Sequence, residues 1–311
     1  MSVRPEVLAH VTDADCTSQT ALVTGSTNGI GRLAALALGR LGATVIVHGR
    51  DATAGRAVVA ELDETGADAT FISADFTEPD AVRQLAETVR DRTDGLDLLL
   101  NNAGGLFSEG RLVGAGVEQT LHVNHLAPYL LTAELLNHLR PGGRVVTTAS
   151  EAHRGASLAL NAVQEVDDYS SMGAYSRSKL ANILFAAELA RRLEARGRDI
   201  TSSSVHPGFI PGSQFWRFMP GPLASLFGLI GWMPGTASVA DGAAALLYAA
   251  VSDVAAEATG RYFSGQQPTT PSTAAQDPDA ANRLWGRSAE LLGMEEPLPL
   301  DSAGTGTTPA N

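Results

Sequence analysis

A chain of 311 residues with 44% apolar and 18% charged residues has the composition of a folded protein with a sizeable core, not of a disordered one. Its formal net charge of −12 excludes a nucleic-acid binder, because phosphate contacts need clustered Lys and Arg. The single cysteine, Cys16, excludes an intrachain disulfide and a cysteine-held zinc, so no metal site is expected.

The opening stretch MSVRPEVLAHVTDAD is mixed and acidic with no apolar centre, unlike a signal peptide, so a cytoplasmic protein is expected. Residues 1–17 are weakly patterned and read as an N-terminal extension. Thr20–Thr24 is a short apolar strand, followed by a glycine-rich turn and an amphipathic helix from Gly31. Strands at 44–49 and 70–75 alternate with helices near 52–65 and after Pro79. A fourth strand runs into Asn101-Asn102-Ala103-Gly104, a helix holds Val123–Leu139, and a fifth strand spans Gly143–Ser150. A long helix covers about 172–196, a strand follows at 200–208, and a later helix carries DGAAALLYAAV.

Apolar strands alternating with helices predict an α/β fold of Rossmann type. It is a doubly wound parallel sheet of about seven strands, flanked by helices in a single domain, 18–293. The run from Phe218 to Ala240 is uncharged and long enough to span a bilayer, but three prolines and four glycines interrupt it and no basic flank anchors it. It is expected to be a mobile apolar lid over a pocket, 209–235, in which Phe215, Trp216, Phe218, Phe227 and Trp232 line the pocket or pack the lid itself. Residues 294–311, rich in Pro, Gly, Ser and Thr, are expected to be a disordered tail.

The turn Thr24–Gly31 reads T-G-S-T-N-G-I-G between a strand and a helix. Gly25, Gly29 and Gly31 permit positive φ and close approach of the backbone to a ligand, and the helix N-terminus favours a pyrophosphate. The expected cradle comprises Gly25, Ser26, Thr27, Asn28, Gly29, Ile30 and Gly31. At the end of the second strand, where an acidic residue would bind a ribose 2′-hydroxyl, stand Gly49 and Arg50. An arginine fork suits a 2′-phosphate, so NADP(H) is expected in preference to NAD(H); a surface arginine is the alternative. Asp75 and Phe76 are candidates for the adenine edge, though Asp75 as a helix cap would look the same.

Tyr175 and Lys179 stand four apart and share one helix face. Lys179 is the only lysine among 22 basic side chains. An ammonium beside a phenol stabilises the phenolate and lowers its pKa, which makes the tyrosine a general acid–base. Ser150, at the carboxyl edge of the sheet, can orient a carbonyl oxygen toward it. Asn124, at the start of a helix, is a cap or the holder of a relay water. His122 and His125 stand three apart on a helix, but no cysteine or carboxylate partner accompanies them. His153 and His206 lie near the expected pocket.

These motifs together resemble those of the short-chain dehydrogenase/reductase family, over about residues 18–265. They are TGSTNGIG, NNAG at 101–104, Asn124, Ser150, YSRSK and HPG at 206–208. VNHLAPYLLT, SEAH and YSRSKLANILFAAELARRL are most similar to the retinol-dehydrogenase-like branch, which includes protochlorophyllide-reductase relatives. The resemblance implies a NADP(H)-dependent oxidoreductase that interconverts a ketone or aldehyde and an alcohol. Tyr175 would exchange the proton, Ser150 would position the oxygen, and Asn124 would hold a relay water. Lys179 would contact the nicotinamide ribose, and Asn102, Ala103 and Gly104 would lie on the adenosine side.

Pro207, Gly208 and Ile210 would flank the nicotinamide. The threonine usual four residues after that glycine is replaced by Gly212, which leaves Ser213 or the backbone near Ile210 to contact the carboxamide. Residues 151–171 resemble an insertion that walls the substrate site. A moderately lipophilic substrate and a homodimer or homotetramer through the sheet-covering helices are implied, with no integral membrane segment. Reduction of a carbon–carbon double bond is the alternative within the family. A non-catalytic NADP(H)-binding sensor is the alternative outside it.

Overall fold

The computed structural model describes residues 3–210 and 236–300. Its main sheet contains β1 (Thr20–Val23), β2 (Thr44–Gly49), β3 (Ala69–Ser73), β4 (Leu96–Asn101), β7 (Leu139–Thr148), β8 (Ile200–His206), β9 (Tyr262–Ser264) and β10 (Gln267–Pro268). β5 (Leu112–Val113) and β6 (Val117–Glu118) form a separate antiparallel hairpin. The main sheet has the order β10-β9-β8-β7-β4-β1-β2-β3. Seven strands pair in parallel, as the apolar strand pattern implies, and only the two-residue β10 runs antiparallel at the edge.

Helices cover both faces because the central strands are apolar on both. Leu22, Ile46 and Leu99 point into one core with α4 (Pro79–Arg92), α6 (Ala127–Leu135), α7 (Ser171–Ala195) and α10 (Pro278–Leu291). Ala21, Val45, Leu98 and Leu100 point into the other, with α2 (Gly29–Arg40), α3 (Ala52–Asp63) and α8 (Val239–Val251). Each fully buried leucine contributes roughly 1.5–3 kcal/mol, so the strands are held far more by their faces than by intrinsic propensity. Polar residues fix the ends of helices: Asp51 accepts from Thr53 N and Ala54 N at the start of α3, and Ser238 with Asp241 forms a capping box on α8. No helix among the described residues is long and apolar enough to cross a membrane.

Two boundaries differ from the sequence expectation. The N-terminal extension is packed: α1 (Pro5–Leu8) lies on α8, Glu6 makes a forked ion pair with Arg40, and Ala9, Val11 and Cys16 are buried. The expected tail does not begin at 294. Glu296 pairs with the buried Arg192, Pro297 O accepts from Trp285 Nε1 at 2.9 Å, and Leu298 packs on the core. Proline-rich composition reads as disorder until a distant partner, here Arg192 on α7, supplies the contacts.

Candidate active site

From the centre of the sheet, β1 to β3 extend one way and β4, β7, β8 and β9 the other. The loops after β1 and β4 therefore part and leave a crevice at the carboxyl ends. A cleft of ≈ 890 Å³ lies there. It is bounded by the loop after β1, the Asn102–Gly104 turn after β4, Ser150 after β7, and His206–Ile210 at the end of β8. With the segments that follow β2 and β3, these loops form a dinucleotide-sized pocket of mixed polarity on a rigid base.

The glycine loop fits a pyrophosphate by shape. Gly25 and Gly29 have φ of 65° and 58°, the left-handed region. A Cβ at Gly31 would stand 2.5 Å from both Gly25 O and Asn102 Nδ2. Asn28 makes no side-chain cap on α2, so the first amides of that helix face the cleft without a protein acceptor from that residue. Thr24 ties this loop to the next: its Oγ1 donates to Leu100 O and accepts from Asn102 N and Ala103 N, at 3.0–3.1 Å. Thr27, Asn28, Ile30, Asn102, Ala103 and Gly104 line the cleft with the glycines. Ser26 does not. It is fully buried, donating to Val23 O at 2.6 Å and accepting from His48 N at 3.0 Å, because it locks the turn onto β2.

At the far end Gly49 and Arg50 line the cleft beside Asp75 and Phe76. A Cβ at Gly49 would meet Thr27 Cγ2 at 2.5 Å, so the absent acidic residue there is also a matter of space. Arg50 is 56% exposed and stands 4.0 Å from Asp75, whose other oxygen accepts from Thr77 N. Asp75 thus closes a turn onto Thr77 and does not cap α4, whose N-cap residue is Glu78, while keeping its place at the cleft. His48 carries no signal in the sequence, yet its ring stacks on Phe76 at 4.6 Å and contacts Gly25 N and Ala74 O, at 3.3 Å each. Burial pushes it down to about 4, so it is neutral, with Nδ1 accepting from Gly25 and Nε2 donating to Ala74 O.

Tyr175, Ser150 and Lys179 come together as their spacing implies. Ser150 and Tyr175 both line the cleft, and the Ser150 hydroxyl acts on the Tyr175 phenol in the sense that favours its ionised form. Lys179, 4% exposed, lies 5.5 Å from the Tyr175 ring centroid and donates to Thr148 O at 2.9 Å. The expected depression of the phenol is not found. Burial pushes Tyr175 up to about 12 despite Ser150, and burial also pushes Lys179 down to about 8. Desolvation outweighs the ammonium because Lys179 points at a carbonyl instead of the phenol oxygen.

Asn124 does not begin a helix. It lies in the π-helical turn His122–Leu126 that joins α5 (Gln119–Leu121) to α6. Its amide nitrogen donates to Gly105 O and Ser178 Oγ, 2.9 Å each, and its Oδ1 accepts from Gly105 N at 2.8 Å. Both amide protons are taken by protein, so the side chain clamps the loop after β4 onto α7 rather than donating to a water.

The insertion 151–171 contributes only Glu151 and Ala152 to the cleft. Farther along, Val163 O accepts from Glu118 N and Tyr169 Oη donates to Phe107 O, so most of it braces the segment before α5. Pro207, Gly208 and Ile210 line the cleft. Ser213, Phe215, Trp216, Phe218, Phe227, Trp232 and the lid beyond 210 lie outside the described residues. His206 also lines the cleft, whereas His153 is buried behind Ser150, donating to its carbonyl through Nδ1 at 2.7 Å. Met172 (49% exposed), Phe209 (41%) and Phe107 give the mouth an apolar rim.

A family model described as short chain dehydrogenase matches residues 19–218. A candidate daunorubicin C-13 ketoreductase of Streptomyces sp. (strain C5) is 38% identical over 277 residues, 88% of this chain and 93% of that one. Human retinol dehydrogenase 13 is 31% identical, over 93% of this chain and 90% of its own. A short chain dehydrogenase from Burkholderia cenocepacia J2315, solved in complex with NADP, superposes with a TM-score of 0.66 at 29% identity, covering 80% of this chain and 96% of that one.

Proposed function

The chain belongs to the short-chain dehydrogenase family, in its retinol-dehydrogenase-like branch, as an NAD(P)-dependent oxidoreductase of carbonyl and alcohol groups, and we propose that it is an NADP(H)-dependent reductase of lipophilic ketones or aldehydes. The observation that carries this reading is the meeting of Ser150 and Tyr175 in the cleft, with the ammonium of Lys179 one helical turn behind the tyrosine. Bound in the cleft, the nicotinamide supplies the hydride. Ser150 donates to the substrate oxygen and holds it against the phenol. Tyr175, a neutral phenol at pH 7 that burial pushes up to about 12, gives its proton to that oxygen as negative charge develops there. Lys179 then stabilises the phenolate through its charge, which buried surroundings leave poorly screened.

Arg50 supports NADP(H): it lines the cleft with no carboxylate at position 49 to oppose a 2′-phosphate. The rim of Met172, Phe209 and Phe107 supports an apolar substrate, in keeping with the ketoreductase and retinol dehydrogenase named above. The test is NADPH oxidation across a panel of ketones, aldehydes and enones. Tyr175→Phe should lower kcat by about 10²–10⁴-fold while NADPH still binds. Unchanged turnover would sink the mechanism, and a preference for enones would redirect it to carbon–carbon double bonds.

A further inference from the structure

Lys179 Nζ and Asn182 Nδ2 converge on one acceptor, Thr148 O, at 2.9 and 3.0 Å. A carbonyl oxygen has two lone pairs, so each donor has one. Asn182 is 2% exposed, and its Oδ1 is buried without a hydrogen-bond partner. Near it lies His125, 1% exposed, whose Nδ1 is likewise buried without a partner. On its other side His125 Nε2 stands 2.9 Å from Ser288 Oγ on α10. The ring is enclosed by Tyr129 and Phe185, which fix its plane. Ser288 Oγ donates to Leu284 O at 2.8 Å, so His125 Nε2 carries the ring proton and donates to Ser288, which leaves Nδ1 unprotonated. The amide nitrogen is therefore the part of Asn182 that is tied to a partner, and that partner is the carbonyl that also holds Lys179.

We propose that Asn182 is a positioning residue for Lys179: by occupying one lone pair of Thr148 O, it sets where the ammonium is held and how strongly. This rests on the role given to Lys179 above. Asn182 itself does not line the cleft, whereas Lys179 and Thr148 do. Two titratable groups among the described residues face the ammonium, Tyr175 on its own helix and His206 at the end of β8. Both stay unaltered in the Asn182 variants below.

Because Lys179 is the only lysine, protein made with [13Cε]lysine gives a single side-chain signal, and its pH titration reads Lys179 directly. The wild-type midpoint should lie near 8. Asn182→Leu should raise it by about one unit, since Thr148 O then serves Lys179 alone. Asn182→Ser carries the test should Asn182→Leu fail to fold. A merely structural role would lower Tm and leave the midpoint in place; that outcome overturns the proposal. Tyr175→Phe is the reference: turnover lost there with an unmoved Lys179 midpoint in the Asn182 variants rejects this inference alone. Turnover kept there rejects the catalytic reading.

Discussion

The two ends of the cleft are built on opposite physical terms. Around β7 and α7, Lys179, Asn182, Ser178 and Asn124 are buried and each is bonded to a named partner. At the ends of β2 and β3, Arg50 and Asp75 stand half-exposed and 4.0 Å apart. Buried hydrogen bonds fix geometry because an unmatched group costs roughly 1–3 kcal/mol, whereas exposed charges are screened and worth roughly 0–1 kcal/mol. The chemistry is therefore tied to packing and the choice of cofactor to charge. Changes at the first end should be large and insensitive to salt, and changes at the second small and dependent on it.

Lys179→Arg is the strongest way to break that contrast. A planar fork cannot replace a compact ammonium beside Thr148 O and the Tyr175 ring, so kcat should fall by roughly 10²-fold at any KCl concentration. Full activity would reduce the only lysine to a compositional accident. Second, acid should weaken the fold through its buried histidines. His48 and His122 are pushed down to about 4 and His125 to about 3, all by burial. The unfolded chain binds protons near 6.5, so stability is intact above that pH and is lost as pH falls toward 4. Thermal unfolding followed from pH 7.5 to 4.5 should show Tm dropping, and His48→Gln should flatten part of the slope.

At the exposed end, Arg50→Gln should raise the Kd for NADPH about tenfold at low ionic strength and leave NADH unaffected. The difference should shrink in high KCl; a salt-independent loss would mean that Arg50 acts by shape. The smallest effect belongs to Asp75→Asn. The amide oxygen still accepts from Thr77 N and the loose pairing with Arg50 is removed, so the NADPH Kd should change by about twofold or less.

What the sequence made legible follows the same division. Tyr175 and Lys179 are one helical turn apart, and Gly25, Gly29 and Gly31 sit between a strand and a helix, so local periodicity alone brings each set together. Ser150 needed only the rule that ligands gather at carboxyl ends of strands. Asn124 was misplaced because its partners, Gly105 and Ser178, are assigned by the π-turn and the docking of α7, neither of which has a local signature. The phenol was expected low because the tyrosine and lysine were treated as an isolated pair, while desolvation by the whole fold decides the sign. His48 and His125 were hidden for the same reason. A histidine says nothing of its neighbours until the sheet closes around it.

The contact between His125 and Ser288 spans 163 positions of sequence, and Arg192 reaches Glu296 across 104. On the ribosome, α7 and the glycine loop emerge long before α10 does. A nascent chain can thus form its cofactor cradle while the ring of His125 still lacks its Ser288 partner and Arg192 its carboxylate. Completion of the region behind the lysine falls to the last of the described helices, so products truncated before it would carry a cradle without a finished core.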